Sequence, residues 1–262
     1  MIRKLKRAIG IRFSVKAMVR NPNIYLCQAT RRFRSFHGLV DELARARPIS
    51  IIQIGANDGV TNDPIGELIL NCPEGIRGLL IEPQRSAFER LSRRYARAPH
   101  ITCLHAAIDR KAGTRCMYSI DRQSAAERLR RNVSDGIGSF SRRHVEAVLK
   151  ANSPVLSNHE IDALITEETV PVTTLEEALS GSGFSRPDVI VVDTEGFDAD
   201  IIQIALEAGI RPTLVQYEHK HLARSARRGI SNRLMREGYR LWTDHADVWG
   251  QRAPPDSSLS RR

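Results

Sequence analysis

The residues able to do chemistry cluster where apolar runs end. Val191-Val192-Asp193-Thr194-Glu195-Gly196-Phe197-Asp198 puts Asp193 and Glu195 at and just past the end of such a run. An acid there costs stability unless it has a partner or a task. Ile54-Gly55-Ala56-Asn57-Asp58-Gly59 follows another run, and its glycines let backbone and N–H groups approach a ligand. In the register of a dinucleotide loop, Asn57 and Val60 replace the second and third glycines, a poor fit to a pyrophosphate. Glu82 ends the next run, where a carboxylate can accept from both hydroxyls of a ribose or cap the following helix. Ala106-Ala107-Ile108 could flank an adenine ring or fill the core. The ligand these residues suggest is a nucleoside without a pyrophosphate.

Transfer to a hydroxyl acceptor needs positioning and benefits from a general base. Asp193, Glu195 and His219 are the candidates, with Asp193 first; its alternative role is to hold the cofactor or brace a loop. Glu218, His219 and His221 follow another apolar run, and with Asp193 they could hold a divalent cation. Such spacing is common by chance, so the sequence assigns no metal. His144 and His159 fall in a polar stretch and read as surface residues, while Gly138-Ser139-Phe140 belongs to the part expected to set acceptor specificity.

These residues must be carried by alternating strands and helices. Strands are expected at 51–54, 79–81, 101–105, 170–173, 188–192 and 213–217. A hairpin is expected around Gly113, with 114–120 as its second arm. Helices are expected from an Asp63-Pro64 start to about 71, and at 84–97, 175–179, 199–207 and 225–237. A last antiparallel hairpin covers 239–249. The fold class is α/β: a doubly wound, Rossmann-like, mostly parallel sheet with a C-terminal antiparallel hairpin. Ligands of such sheets bind beyond the carboxyl ends of the strands. The expected organisation is a basic arm and short helix at 1–47, a main domain at 48–250, an insertion at 121–168 with helices near 124–131 and 141–151, and a disordered tail at 251–262.

The 262 residues suffice for one well-buried core. The formal charge of +10 lies wholly in residues 1–50, which hold twelve Lys/Arg and two acids; the rest balances at 28 of each. Such an arm can lean on an anionic membrane surface or an acidic partner, or simply be solvated. No apolar run reaches the ~18 residues of a membrane span. The four cysteines form no CxxC pair and suit neither zinc nor a disulfide framework, so the expected compartment is the cytoplasm, with peripheral contact at the inner membrane surface through the arm.

The segments IQIGANDGVTNDP, LLIEPQRSAFERL, HAAI, GIGSF, VPVTTLEEAL, VIVVDTEGFDADII and LMREGYRLW, in this order, resemble the FkbM family of class I S-adenosylmethionine-dependent methyltransferases. The resemblance spans roughly residues 49–243, and DTEGFD is its most specific part. It implies S-adenosylmethionine as cofactor, with Gly55, Asn57 and Gly59 along the methionyl and ribose side. It further implies Glu82 on the ribose hydroxyls, Ala107 and Ile108 near adenine, and Asp193 and Glu195 facing the methyl. Gln53, Ala56, Pro83 and Asp193 complete the expected cofactor set. Gln53 is a departure, because an acid often stands two residues before the first glycine. The implied reaction is O-methylation of a hydroxyl on a sugar, polysaccharide or secondary metabolite. RNA or protein methylation, or cofactor binding without catalysis, are the alternatives. With 5% aromatic residues and no RNA-binding motif, no specific nucleic acid is expected.

Overall fold

The computed structural model of the protein describes residues 35–61, 63–72, 74–120, 138–243 and 246–253. Helix α1 (Phe36–Ala46) leads into β1 (Ile49–Ile54), α2 (Gly66–Asn71), β2 (Ile76–Ile81), α3 (Arg85–Tyr95) and β3 (Ile101–Leu104). Then come β4 (Ala107–Ile108), β5 (Gly113–Ile120), β6 (Gly138–Ser139), α4 (Arg142–Asn152), α5 (Asn158–Asp162) and β7 (Ile165–Thr173). The chain finishes with α6 (Leu175–Gly181), β8 (Val189–Val192), α7 (Asp198–Glu207), β9 (Leu214–Glu218), α8 (Arg224–Arg236), β10 (Tyr239–Thr243) and β11 (Asp247–Arg252).

Seven strands form the main sheet in the order β3-β2-β1-β8-β9-β11-β10. All neighbours are parallel as far as β9, and β11 runs antiparallel to both β9 and β10. This is the doubly wound sheet with a terminal antiparallel hairpin that the alternation predicts. Both faces are covered, because successive side chains of a strand point to opposite sides. Along β1, Ile51 joins an apolar cluster with α1, α2 and α3, while Ile52 and Ile54 join one with α6, α7 and α8. The order of strands reverses between β1 and β8, and β1 ends in register with both neighbours, Ile54 opposite Ile81 and Val192. Three strands therefore stop at one level, and Gly55, Glu82 and Asp193 follow at that edge.

Several expected elements differ. Helix α2 begins at Gly66, not at Asp63-Pro64. Asp63 stands just before it, where its Oδ1 accepts from the backbone N of Ile65 and Gly66. The strand expected at 170–173 starts at Ile165 and is not in the main sheet. It pairs along its length with β5, and β4-β7-β5-β6 form a second, four-stranded sheet. The arm at 114–120 thus finds its partner some fifty residues downstream rather than in a local hairpin. The helix expected at 141–151 is α4, capped by the Ser141 hydroxyl, which accepts from His144 N. Strand β11 reaches Arg252, two residues into the expected tail. The arm at 1–34, the helix near 124–131 and the tail from 254 lie outside the described residues. Among the described residues, no helix is long and apolar enough to cross a membrane.

Candidate active site

A cavity of about 430 Å³ opens at the carboxyl edge of the main sheet, roofed by the second sheet and the start of α4. Its volume falls within the range of small-ligand pockets. Its floor is the turn after β1. Gly55, with φ +82°, lies so close to the β8 end that an added Cβ would stand 1.8 Å from the Asp193 carbonyl oxygen. Only glycine fits there. Asn57 also adopts a left-handed conformation (φ 49°). The N–H groups of Gly55 and Ala56 both donate to Ile81 O, tying the turn to β2.

Glu82 faces the cavity from the end of β2 with 3% of its surface exposed. Its Oε2 accepts from Asn57 N and its Oε1 from Gln84 N, both at 2.8 Å. These bonds fix the carboxylate while leaving lone pairs for a diol. Burial pushes its pKa up to about 7, against the pull of the two N–H donors. Pro83 lines the same side, with Ala107 and Ile108 of β4 beyond it.

The opposite end of the floor supplies the charge missing at Gln53. That residue is 2% exposed, and its Nε2 donates to Asp63 Oδ1 at 3.3 Å. Gln53 Oε1 and Asp63 Oδ2 are both buried and find no hydrogen-bond donor among the described residues. Burial raises the Asp63 carboxyl above its ordinary pKa. Buried acceptors without donors are uncommon and ask for a partner. A carboxylate and an amide oxygen together suit an ammonium group. The cavity thus offers a diol acceptor at Glu82, an apolar slot at β4 and a cation acceptor at Gln53 and Asp63. That donor set fits S-adenosylmethionine.

The acids after β8 meet those after β9. Asp193 is pushed up to about 8 by burial first, then by Glu218, Asp198 and Glu195. Glu195, in a left-handed conformation (φ 51°), has its Oε2 3.1 Å from His221 Nε2 and 3.7 Å from His144 Nε2. Burial works to raise its pKa, but the two histidines and Lys220 outweigh that and hold it below the usual carboxylate range. Glu218 Oε1 accepts from Lys220 Nζ at 2.6 Å. Asp198 is fully buried and braces the loop, accepting from Thr194 Oγ1, Gly196 N and Glu218 N.

Gln53, Gly55, Ala56, Asn57, Glu82, Pro83, Ala107, Ile108, Asp193 and Glu195 all line this one cavity. Gly59 and His219 do not. Gly59 turns the chain against α3, where an added Cβ would meet Leu91 and Tyr95 at 2.9 Å. His219 is buried beside the terminal hairpin, its N donating to Ala246 O, and His221 reaches the cavity instead. His144, expected at the surface, lines the cavity from the first turn of α4, whereas His159 is exposed as expected. The nearest sequence signal for His144 is its position in the first turn after the Ser141 cap, beside Gly138-Ser139-Phe140. Asp63, read only as a helix start, is also part of the site.

Residues 53–249 match the sequence model of the Methyltransferase FkbM domain. No curated protein matches. Among solved structures, the methyltransferase domain of METTL16 is 10% identical with a TM-score of 0.44, over 84% of this chain and 67% of that one. Aeropyrum pernix fibrillarin with natively bound S-adenosyl-L-methionine is also 10% identical, TM-score 0.39, over 78% of this chain and 66% of that one. A putative RNA methyltransferase from Pyrococcus horikoshii is 11% identical, TM-score 0.40, over 83% and 82%. The chain spans about two thirds of the length of the first two.

Proposed function

We propose, from the premise that this chain belongs to the FkbM methyltransferase family, that it methylates a hydroxyl oxygen on a sugar, polysaccharide or other hydroxylated metabolite. The observation that carries this reading is that Glu82 and the acids at Asp193 and Glu195 line one cavity. S-adenosylmethionine supplies an electrophilic methyl group when bound.

The chain's own residues do the rest. Glu82 holds the ribose, and Asp63 with Gln53 holds the ammonium end. Arg115, Ser139 and Ser141 on the opposite wall offer hydrogen bonds to a polyhydroxylated acceptor. Asp193 would accept the hydroxyl proton as the O–CH3 bond replaces the donor's S–CH3 bond, the thioether being the leaving group. Its raised pKa makes it a stronger base than an ordinary carboxylate, as general-base catalysis favours. Glu195, charged and paired with two imidazoles, orients them at the acceptor end.

Two measurements test this. In calorimetry with S-adenosylhomocysteine, Glu82→Gln should bind at least about tenfold more weakly, the cost of a lost charge-assisted bond. Unchanged affinity would remove the ribose assignment. With labelled S-adenosylmethionine and a panel of hydroxylated acceptors, Asp193→Asn should lose about 10²–10⁴ in turnover. Full turnover by that variant would remove Asp193 as base. Labelling of RNA or protein but no small hydroxylated acceptor would overturn the substrate class.

A further inference from the structure

We propose that His144, Glu195 and His221 bind a divalent first-row transition-metal cation at the acceptor end of the cavity, with the Glu218 carboxylate within reach. Three separate elements bring these groups together: the first turn of α4, the loop after β8 and the loop after β9. The His221 Nε2–Glu195 Oε2 and His144 Nε2–Glu195 Oε2 distances are 3.1 and 3.7 Å, and one ligand atom from each residue lies within 4.8 Å of the others. Ligands held at about 2.1 Å from a common ion stand about 3.0 Å apart at adjacent octahedral positions and about 3.4 Å apart in a tetrahedron. The 3.1 Å distance lies close to the octahedral value and the two distances bracket the tetrahedral one, so small side-chain adjustments close the shell.

Glu218 Oε2 adds an independent sign. It is buried, lies 3.4 Å from His221 Nε2, and has no hydrogen-bond donor among the described residues. His144 Nε2 is also buried, and among the described residues it meets only the Glu195 carboxylate, at 3.7 Å, beyond hydrogen-bond distance. Two imidazoles with one or two carboxylates favour Mn2+, Co2+ or Zn2+ over Mg2+ or Ca2+, which prefer all-oxygen sites. His144, Glu195 and His221 all line the cavity together with Asp193. Where the hydroxyl-methylation reading holds, an acceptor oxygen bound there becomes more acidic and passes its proton to Asp193. The role in catalysis rests on that reading; the binding does not.

The test uses the full chain without a tag, stripped with chelator. Co2+ is titrated while its visible d–d bands are recorded, and Zn2+ is titrated by calorimetry. One equivalent should bind, and His144→Gln and His221→Gln should each weaken it at least about 100-fold while the thermal midpoint stays within a few degrees. If either variant unfolds, Glu195→Gln takes its place with the same expectation. Absence of a one-equivalent transition overturns the site, and so does binding that survives the histidine substitutions in folded protein. S-adenosylhomocysteine binding is measured on the same stripped sample. Cofactor binding without metal binding defeats this proposal alone, and loss of cofactor binding defeats the functional reading instead.

Discussion

Asp198 separates a structural acid from the chemical ones beside it. It does not line the cavity itself, yet it ties the loop carrying Asp193 and Glu195 to Glu218, the last residue of β9, through four backbone and hydroxyl donors. Burial pushes its pKa up to about 7, with the donors opposing. A carboxyl whose folded pKa exceeds its unfolded value of about 3.9 stabilises fully below that lower value, and the gain is lost as pH rises through the upper one. Wild type should therefore lose its advantage over Asp198→Asn between pH 4 and 8, by at most about 4 kcal/mol at 1.36 kcal/mol per unit. Paired thermal melts across that range check it, and parallel curves would contradict it. At this scale the sequence was legible where position alone carried the meaning. Glu82 and Asp193 end apolar strands, and strand ends of such sheets face the ligand. Asp63 and His144 were not: Asp63 reads as a helix start although it folds back on Gln53, and His144 reaches the cavity only through the packing of α4 over the main sheet. His219 also follows a strand end, but it is buried outside the cavity lining with its backbone N donating to Ala246 O.

Among the elements, the seven strands of the main sheet were readable because their short apolar runs sit between turn residues. The second sheet was not. Its longest pairing, β5 with β7, joins strands about fifty residues apart and half exposed, so neither carries a continuous apolar signature. That sheet's hold on the cavity roof depends on Arg115. Its guanidinium stacks 3.9 Å from the centre of the Phe140 ring and 5.9 Å from that of Phe197, while Nη1 reaches Asp109 Oδ2 at 2.6 Å. A cation–π contact of this kind contributes about 0.5–2 kcal/mol. Arg115→Ala should thus raise amide exchange at residues 138–141 about tenfold while the main-sheet amides stay protected. Uniform exchange across both sheets would show that the roof does not open separately.

The molecule as a whole divides its charge as it divides its structure. Residues 1–34 carry ten basic residues and no acid, and residues 35–262 hold thirty of each sign. A balanced body has little long-range attraction for anions, so any such attraction belongs to the arm. Deleting residues 1–34 should leave S-adenosylhomocysteine affinity within about twofold and abolish salt-sensitive retention on vesicles of anionic phospholipid. Retention that persists would move the membrane contact to the catalytic body.

The hydrogen bond from Asp109 N to Thr173 O, beside the parallel pairing of β4 with β7, brings together the two ends of the segment that runs from β5 to β7. Among the described residues, the second sheet and the start of α4 between these points form the roof, and the carboxyl edge of the main sheet forms the floor. The roof is thus a cassette with adjacent ends. Exchanging it between related chains would need two crossovers and matched contacts across the cavity, such as Arg115 with Phe197 and His144 with Glu195, so a lineage could change the molecules it marks while its methyl donor stayed the same.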